Sequence, residues 1–299
     1  MKIICGKVTL IFMFIAIFAF PGTSAEQKQK IKFFRPSEAG NVLTCSIESE
    51  AKSVTTMMTN DDKKSEKVLC NRIAISGIMT IKTVTEYGRP ATIEFKVDKV
   101  KGDLSGKEVK FASEGKTLEV NLDTKPCEFN IKGEDTKISR EEILLLSLVF
   151  RKTRKENMSD FIGTENEVAI GDTWKAPLSP LQGEFEKRGV KPGELKMEGD
   201  IKLSDRKVLE GYDCWIIDSD LKAMSSDEFL FQFKAQVALP VDGKTGAIRI
   251  TREALEKFSK KMADKNNSVM PDVKELDLEI TDKMNVMMVP AAKKEDNSK

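Results

Sequence analysis

The sequence predicts a mainly β protein of the α+β class, in which curved antiparallel sheets form two similar lobes. Turn sequences such as Tyr87-Gly88-Arg89-Pro90 and Val241-Asp242-Gly243 separate segments in which apolar and polar residues alternate. Such alternation is typical of antiparallel strands with one buried and one solvated face. The longest alternating stripe consists of Phe229, Phe231, Phe233, Ala235, Val237 and Leu239.

Two helices are expected within this strand-rich pattern. Ser139 and Glu142 have the spacing of a capping box at the start of a helix near 139–154. Residues 143–150 of this helix contain a single polar side chain, so we expect it to be covered on several sides as a buried connection between the lobes. A second, more amphipathic helix is expected near 252–262.

The first 25 residues have the pattern of a secretory signal peptide. Lys2 and Lys7 provide positive charge, an apolar stretch follows over 8–20, and small residues precede a cleavage site near Ala25. A membrane anchor is the alternative, but an apolar stretch of 13 residues is short for a bilayer core. We therefore expect an exported protein, periplasmic or extracellular, that is soluble after cleavage and has no transmembrane segment in its mature part.

Composition argues against several kinds of function. Without residues 1–25 the chain has 47 basic residues (49 − 2) and 48 acidic ones, a balance that argues against nucleic acid as a partner. The chain has no histidine, which excludes Ser-His-Asp and Cys-His catalysis and removes the commonest transition-metal ligand. The cysteines form no Cys-x-x-Cys motif, so zinc is not expected. We expect no catalytic residue, no metal site and no cofactor.

The two halves of the chain share a pattern that predicts an internal duplication. Glu114-Gly115-Lys116-Thr117 matches Asp242-Gly243-Lys244-Thr245, and each motif precedes one of the expected helices. Two similarly spaced glycine pairs lie upstream of these motifs, namely Gly77 with Gly88 and Gly199 with Gly211. Because the four matches follow the same order in both halves, we interpret them as traces of a repeated unit.

This repeat predicts two β-rich lobes joined through the helix near 139–154. The first lobe, with its terminal helix, covers 26–160, and the second covers 161–291. The signal peptide over 1–25 precedes both lobes, and the charged tail over 292–299 is expected to fray.

Residues 42–58 and 66–84 are expected to pair as a hairpin. The register that this hairpin predicts places Cys45 opposite position 79 or 80, several pairs away from Cys70. Such a separation is beyond the reach of a disulfide, so no bond between these two cysteines is expected.

Three segments carry a resemblance to known proteins: 171–174, the hairpin 242–245 and the apolar helix 143–150. In outline the chain resembles uncharacterised exported bacterial proteins with two β-rich lobes. More distantly it is similar to the open-barrel lipoprotein-carrier fold, in which a sheet wraps around helices on its concave side. The resemblance implies an apolar groove along the sheet, and it assigns no functional residue.

Two local motifs suggest enzymatic chemistry. Gly243-Lys244-Thr245 lacks the first glycine of a phosphate-binding loop, because Ala238 stands in its place. Lys244-Thr245-Gly246 and three Ser-x-x-Lys sequences match elements of serine–lysine hydrolases, which need no histidine. Two of those serines are too close to Lys244 in the chain for that fold, and Ser-Asp-Asn is missing. A serine–lysine hydrolase is therefore the last of the hypotheses.

The phenylalanine stripe supports a positive hypothesis. We expect a non-enzymatic exported binding or assembly protein that holds an apolar or lipid-like ligand, or a segment of an envelope protein, in a groove of the sheet. The alternative is a structural envelope or surface protein in which the same residues fill a core. The candidate groove-lining residues are Phe229, Phe231, Phe233, Leu145 and Leu148, and the helix over 143–150 is expected to cover the groove.

Overall fold

The computed structural model describes residues 28–153, 162–177, 195–225, 229–261 and 273–291. The predicted signal peptide over 1–25 and the predicted tail over 292–299 lie outside these residues. In the part that is described, the chain is mainly β, its strands pair antiparallel, and it contains one helix. The predicted fold class is thereby confirmed.

The strands of the first half are β1 (Gln29–Ile31), β2 (Val42–Thr59), β3 (Lys64–Val84), β4 (Pro90–Leu104), β5 (Lys107–Glu108), β6 (Thr117–Asn121) and β7 (Glu128–Ile131), followed by helix α1 (Arg140–Val149). Those of the second half are β8 (Thr164–Val168), β9 (Thr173–Trp174), β10 (Lys196–Leu209), β11 (Tyr212–Ser225), β12 (Phe229–Pro240), β13 (Arg249–Lys261) and β14 (Val273–Pro290).

Both halves of the chain contribute to one antiparallel sheet. Its strand order is β7-β6-β4-β3-β2-β14-β13-β12-β11-β10-β9, with β5 paired to β4, while β1 and β8 form a separate two-stranded sheet. The C-terminal strand β14 joins the halves, because it pairs with β2 from Val273↔Thr59 to Pro290↔Leu43. Among the described strands, the edge strands β7 and β9 do not pair with each other, so the sheet is open.

The prediction of a helix near 252–262 is wrong, because strand β13 occupies this segment. Every residue of Arg249–Lys261 pairs with β14, and most of them also pair with β12. The segment is rich in Glu, Lys, Ala and Leu, which favour helices, but this preference is worth only about 0.7 kcal/mol per residue or less. Hydrogen bonding to strands on both sides outweighs it.

Helix α1 begins where the capping box predicts. The backbone N–H of Glu142 donates to Ser139 Oγ at 3.1 Å. The buried carboxylate of Glu142 does not fold back onto the cap; it accepts the backbone N–H groups of Ala112 at 2.9 Å and Ser113 at 3.1 Å. This contact ties the helix to the loop before β6. Leu144 is 51% exposed, so the helix is covered on one side and not all round as expected.

Two buried apolar clusters lie on the same face of the sheet. Cluster A, which includes Ile75, Phe95 and Leu145, joins β2, β3, β4, β6 and β7 to helix α1. Cluster B, which includes Trp174 and Phe231, joins β9 to β12 and the two-stranded sheet of β1 and β8. The division into lobes over 26–160 and 161–291, and the internal duplication, stay predictions.

The hairpin predicted from 42–58 and 66–84 is confirmed as β2 and β3. Cys45 pairs with Gly77, so the true register differs by two or three positions from the predicted one. Cys70 pairs with Lys52 and is not bonded to Cys45, as expected. Burial raises the pKa of the Cys45 thiol to about 12.

The segment between β1 and β2 crosses one end of the sheet. Arg35 donates hydrogen bonds to the Asp242 carboxylate at 3.2 Å and to the Thr245 carbonyl, both in the turn between β12 and β13. Two residues later, the Ser37 N–H donates to the Gly88 carbonyl in the turn between β3 and β4 at 2.8 Å. These turns belong to β3 and β12, which are four steps apart in the sheet, and the segment links them.

Gly77 and Gly199 allow close approach of neighbouring strands. A Cβ atom on Gly77 would lie 2.0 Å from the carbonyl oxygen of Lys96, and one on Gly199 would lie 2.0 Å from that of Asp220. These glycines belong to the two pairs that suggested the duplication. Their equivalent contacts are compatible with a repeated unit.

We expect Gly77→Ala to lower the free energy of unfolding by about 1–3 kcal/mol, because the added methyl group forces backbone to move. The matched control is Gly246→Ala, since no atom lies within 4 Å of a Cβ at Gly246. The control should change the free energy by about 0.5 kcal/mol or less. Urea unfolding measures both, and equal losses would show that the close contact of β3 with β4 is incorrect.

Candidate functional site

A groove of about 1300 Å³ crosses the polar face of the sheet. Its side chains form two rows on neighbouring strands from β10 to β4, and no residue of α1 lines it, so it lies opposite clusters A and B. The register defines one of the rows as Asp200, Asp220, Lys234, Glu253, Lys283, Glu50, Arg72 and Asp103.

Charges of both signs line this groove, and several of them form pairs. Glu50 accepts from Arg72 at 2.6 Å, Asp220 lies 3.1 Å from Lys234, and Glu253 lies 3.3 Å from Lys283. Exposed pairs of this kind contribute little to stability, because water and salt screen their attraction. Acidic and basic groups are interspersed across the strands, apart from the acidic neighbours Asp200 and Asp220, so the groove offers no single-sign surface.

A second surface lies on the apolar face of β14. Leu276, Leu278 and Ile280 alternate along this strand and share a face with Val286 of cluster A. We call these three residues the β14 apolar stripe. All three are half-buried, and none belongs to cluster A or cluster B. The stripe is therefore an apolar surface that lies on the core-forming face of the sheet but outside both clusters.

The β14 apolar stripe continues the predicted phenylalanine stripe. Leu278 pairs with Phe258 of β13, and Phe258 pairs with Phe229 of β12. Paired residues share a face of the sheet, so the three side chains form one apolar row across β12, β13 and β14. Phe258 is itself half-buried and packs against cluster B. The row leads from a filled core to a partly exposed surface.

The predicted groove residues fall into two separate places. Phe229, Phe231 and Phe233 are 6%, 7% and 5% exposed within cluster B, and the rings of Phe231 and Phe233 are stacked at 6.4 Å. Leu145 is fully buried in cluster A, and Leu148 is half-buried beside it.

The expected arrangement, with α1 covering the phenylalanine stripe, is not found. Helix α1 packs on β2, β3 and β4, while the phenylalanine residues lie on β12, with β14 and β13 in between. Sequence separation could not reveal this order of strands. A groove-lining role for the individual residues stays a prediction.

A charged cluster adjoins the β14 apolar stripe. Arg151 Nη2 donates to Asp282 Oδ2 at 2.8 Å, and Arg252 Nη2 approaches the same oxygen at 3.4 Å. Asp282 follows Ile280 by two residues on the same face of β14. The Arg151 Nε also donates to the Leu148 carbonyl at 3.3 Å, which attaches the cluster to the end of α1. We call Arg151, Asp282 and Arg252 the arginine cluster.

The arginine cluster has incomplete hydrogen bonding. Arg252 Nε and Asp282 Oδ1 are buried, and neither has a hydrogen-bond partner within the described part of the chain. Burial, and after it the positive charge of Arg151, lower the pKa of Arg252, while Asp282 opposes them. No local pattern in the sequence reveals this cluster, because Asp282 is 131 positions from Arg151 and 30 from Arg252. The position of α1 brings Arg151 to Asp282, and the register of β13 and β14 brings Arg252 there.

The serine–lysine motifs do not form catalytic pairs. Ser49 and Ser219 lie within strands, and a spacing of three residues along a strand places the lysine of each motif on the opposite face. Both hydroxyls are buried and have no partner among the described residues. The third serine, Ser204, donates to the carbonyl of Ile216 at 3.0 Å. The local sequence matches therefore bring no lysine to a serine.

No known protein family and no curated protein matches the sequence. Among solved structures, lipovitellin, described for its lipid–protein interactions, has a TM-score of 0.29 and 9% identity, over 85% of this chain and 26% of lipovitellin. A LolA superfamily protein from Nitrosomonas europaea has a TM-score of 0.14 and 9% identity, over 82% of this chain and 86% of its own. The chain spans about a quarter of lipovitellin. At these TM-scores neither likeness carries an argument about ligand or mechanism.

The burial of the phenylalanine stripe predicts a large effect of truncation. We expect Phe231→Ala to lower the free energy of unfolding by about 3–5 kcal/mol, because a packed ring is replaced by a cavity. The control Phe34→Ala removes a ring that is 37% exposed and lies under Arg89, and should cost about 1 kcal/mol or less. Urea unfolding compares the two; similar small losses would indicate that Phe231 lines an open groove.

Proposed function

We propose that this chain is a non-enzymatic binding protein that holds an apolar or lipid-like ligand on the apolar face of its sheet. The observation that carries the proposal is the β14 apolar stripe, whose three side chains stay half-buried outside both clusters. Clusters A and B, on the same face of the sheet, are filled core. A ligand that covers the stripe would remove apolar surface from water, which contributes roughly 25 cal/mol per Å².

The surroundings of the stripe suit an elongated ligand. Successive stripe residues are two positions apart, so Leu276 and Ile280 lie about 13 Å apart along the strand. Phe258 extends the apolar surface sideways towards cluster B. The proposed ligand therefore lies along β14, beside the phenylalanine stripe and not beneath α1. An apolar segment of an envelope protein could occupy the same surface.

A structural envelope or surface protein is the second candidate. It is favoured by the burial of Phe229, Phe231 and Phe233, which fill a core on the apolar face of β12. On this alternative, the β14 apolar stripe contacts nothing but water and the protein itself. Binding of an apolar probe at the stripe separates the two candidates.

Binding to the β14 apolar stripe predicts a specific effect of charge. We expect the neutral probe N-phenyl-1-naphthylamine to bind the wild-type protein, and Leu278→Asp to weaken binding by about tenfold or more. The reason is that a carboxylate beneath an apolar ligand must lose its hydration. Fluorescence titration measures the affinity.

The matched control is Val208→Asp, which introduces the same charge at a side chain that is 69% exposed on β10, four strands away from β14. It should leave the probe affinity unchanged, and urea unfolding checks that both variants are folded. Failure of the wild type to bind the probe, or equal weakening by the two substitutions, would favour the structural alternative.

We further propose that the protein is exported and loses residues 1–25. This proposal rests on the signal-peptide pattern of the sequence. The single helix in the described ranges is too short to cross a membrane. A bulky residue at the cleavage site is incompatible with processing, which requires small side chains there.

N-terminal sequencing of the protein from a secreting host should therefore start near Glu26. Ala25→Trp should leave the precursor uncut, whereas the control Gln29→Ala should be processed like the wild type. A wild-type product that retains Met1 would contradict export by cleavage.

A further inference from the structure

The arginine cluster carries an excess of positive charge on an apolar face. Arg151 and Arg252 both approach a single oxygen of Asp282, so two guanidinium groups share one carboxylate. Arg252 makes one hydrogen bond within the described residues, and that bond is long, at 3.4 Å. Its Nε donor is buried and unpartnered there. A second anion is what this arrangement of donors lacks.

The immediate neighbours of Arg252 do not supply that anion. Within its cross-strand row, Arg252 lies between Ala235 of β12 and Met284 of β14. Glu256 shares the face but lies four residues further along β13, about 13 Å away along the strand. Across the strands, Glu256 pairs with Phe231 and Ile280. The row continues to Ser219 beyond Ala235 and to Ser49 beyond Met284, so its other polar groups are uncharged hydroxyls.

The arginine cluster and the β14 apolar stripe are consecutive on one strand. Asp282 is two residues from Ile280 and six from Leu276, which corresponds to about 20 Å of extended strand. Positive charge therefore stands at one end of a partly exposed apolar surface. A molecule with an anionic group at one end and an apolar chain behind it is complementary to this sequence of groups.

We propose that the site binds an amphiphile with one anionic head group, a carboxylate or a phosphate, held between Arg151 and Arg252 with its chain along the β14 apolar stripe. This proposal rests on the proposed function, because it adds a head-group specificity to the same surface. Guanidinium groups bind carboxylate and phosphate oxygens through paired, charge-assisted hydrogen bonds. The bound anion would also offset the like charge of the two arginines, which together with burial, the larger cause, lowers the pKa of Arg252.

Three ligands with the same twelve-carbon chain and different heads test this specificity: laurate, 1-dodecanol and dodecyltrimethylammonium. Each is titrated, as monomers, against wild-type protein loaded with N-phenyl-1-naphthylamine, and displacement gives its affinity. We expect laurate to bind at least about tenfold more tightly than 1-dodecanol, and the cationic amphiphile to bind most weakly. Acetate and inorganic phosphate at the same concentrations should not displace the probe, because they lack the chain.

Arg252→Met removes the charge and keeps an unbranched apolar side chain. It should reduce the preference for laurate over 1-dodecanol to about twofold or less, with the affinity for 1-dodecanol unchanged within twofold. Arg252→Lys, which keeps the charge, should retain part of the preference. The control is Arg206→Met, since Arg206 also pairs with a single carboxylate, Asp213 at 2.5 Å, but lies on β10. This control should keep the full preference. Arg151→Met serves as a second test if Arg252→Met does not fold.

The outcomes separate this inference from the proposed function. Equal binding of laurate and 1-dodecanol by the wild type, or a laurate preference that survives Arg252→Met, would overturn the head-group proposal and leave apolar binding intact. Equal loss of both ligands in Arg252→Met would assign the cluster a structural role and also overturn it. A wild-type protein that binds neither the probe nor any chain would remove the proposed function itself.

Discussion

The pairing of β14 with β2 holds the two halves of this chain in one sheet. It joins the last described strand to the first long one, over the whole length from Val273↔Thr59 to Pro290↔Leu43. Without it, each half would end in a long unpaired strand, a form of sheet edge that promotes association. The pairing is also the most non-local contact in the fold, so its formation requires closure of a loop of about 200 residues.

Because β14 lies in the middle of the sheet, the register of this strand decides what each face presents. Even-numbered residues from Leu276 to Met288 face clusters A and B, and odd-numbered residues face the polar groove. Two elements cover the apolar face, one on either side of β14. Helix α1 is fixed by Glu142 over β2 to β4, and the two-stranded sheet of β1 and β8 packs with cluster B. The apolar residues of β14 that extend beyond the clusters stay half-buried for this reason.

Local sequence patterns predicted the elements that local interactions stabilise. They failed where pairing with a distant strand decides the secondary structure. The capping box at Ser139 and the alternation in β12 and β2 identified a helix and strands correctly. Residues 252–262 have helix-favouring side chains, but β12 and β14 pair with them, which no local pattern reveals. The hairpin of β2 and β3 was predicted correctly, but its register at Cys45 was not. A turn can shift the pairing of two strands by two or three positions without changing the alternation of apolar and polar residues along each strand.

The candidate site was harder to predict than the strands, because it consists of residues from three distant parts of the chain. The alternation of Leu276, Leu278 and Ile280 is visible in the sequence, but its half-buried state depends on where the covers lie. The meeting of Arg151 with Asp282 depends on the position of α1, and that of Arg252 depends on the pairing of β13 with β14. The order of the strands in the sheet determines both contacts, and no local motif predicts that order.

The arginine cluster also bears on which of the two functional readings is physically simpler. In a purely structural protein, replacing a partly buried ion cluster by apolar side chains is often neutral or stabilising, so stability alone gives little reason to keep Arg252 among Ala235 and Met284. Its buried Nε, which has no partner among the described residues, adds a desolvation cost of about 1–3 kcal/mol. A ligand anion would satisfy that donor and balance the second guanidinium at the same time. A filled core gives no reason for this desolvation cost. In a binding site the unsatisfied donor and the second positive charge would favour an anionic head group over a neutral one.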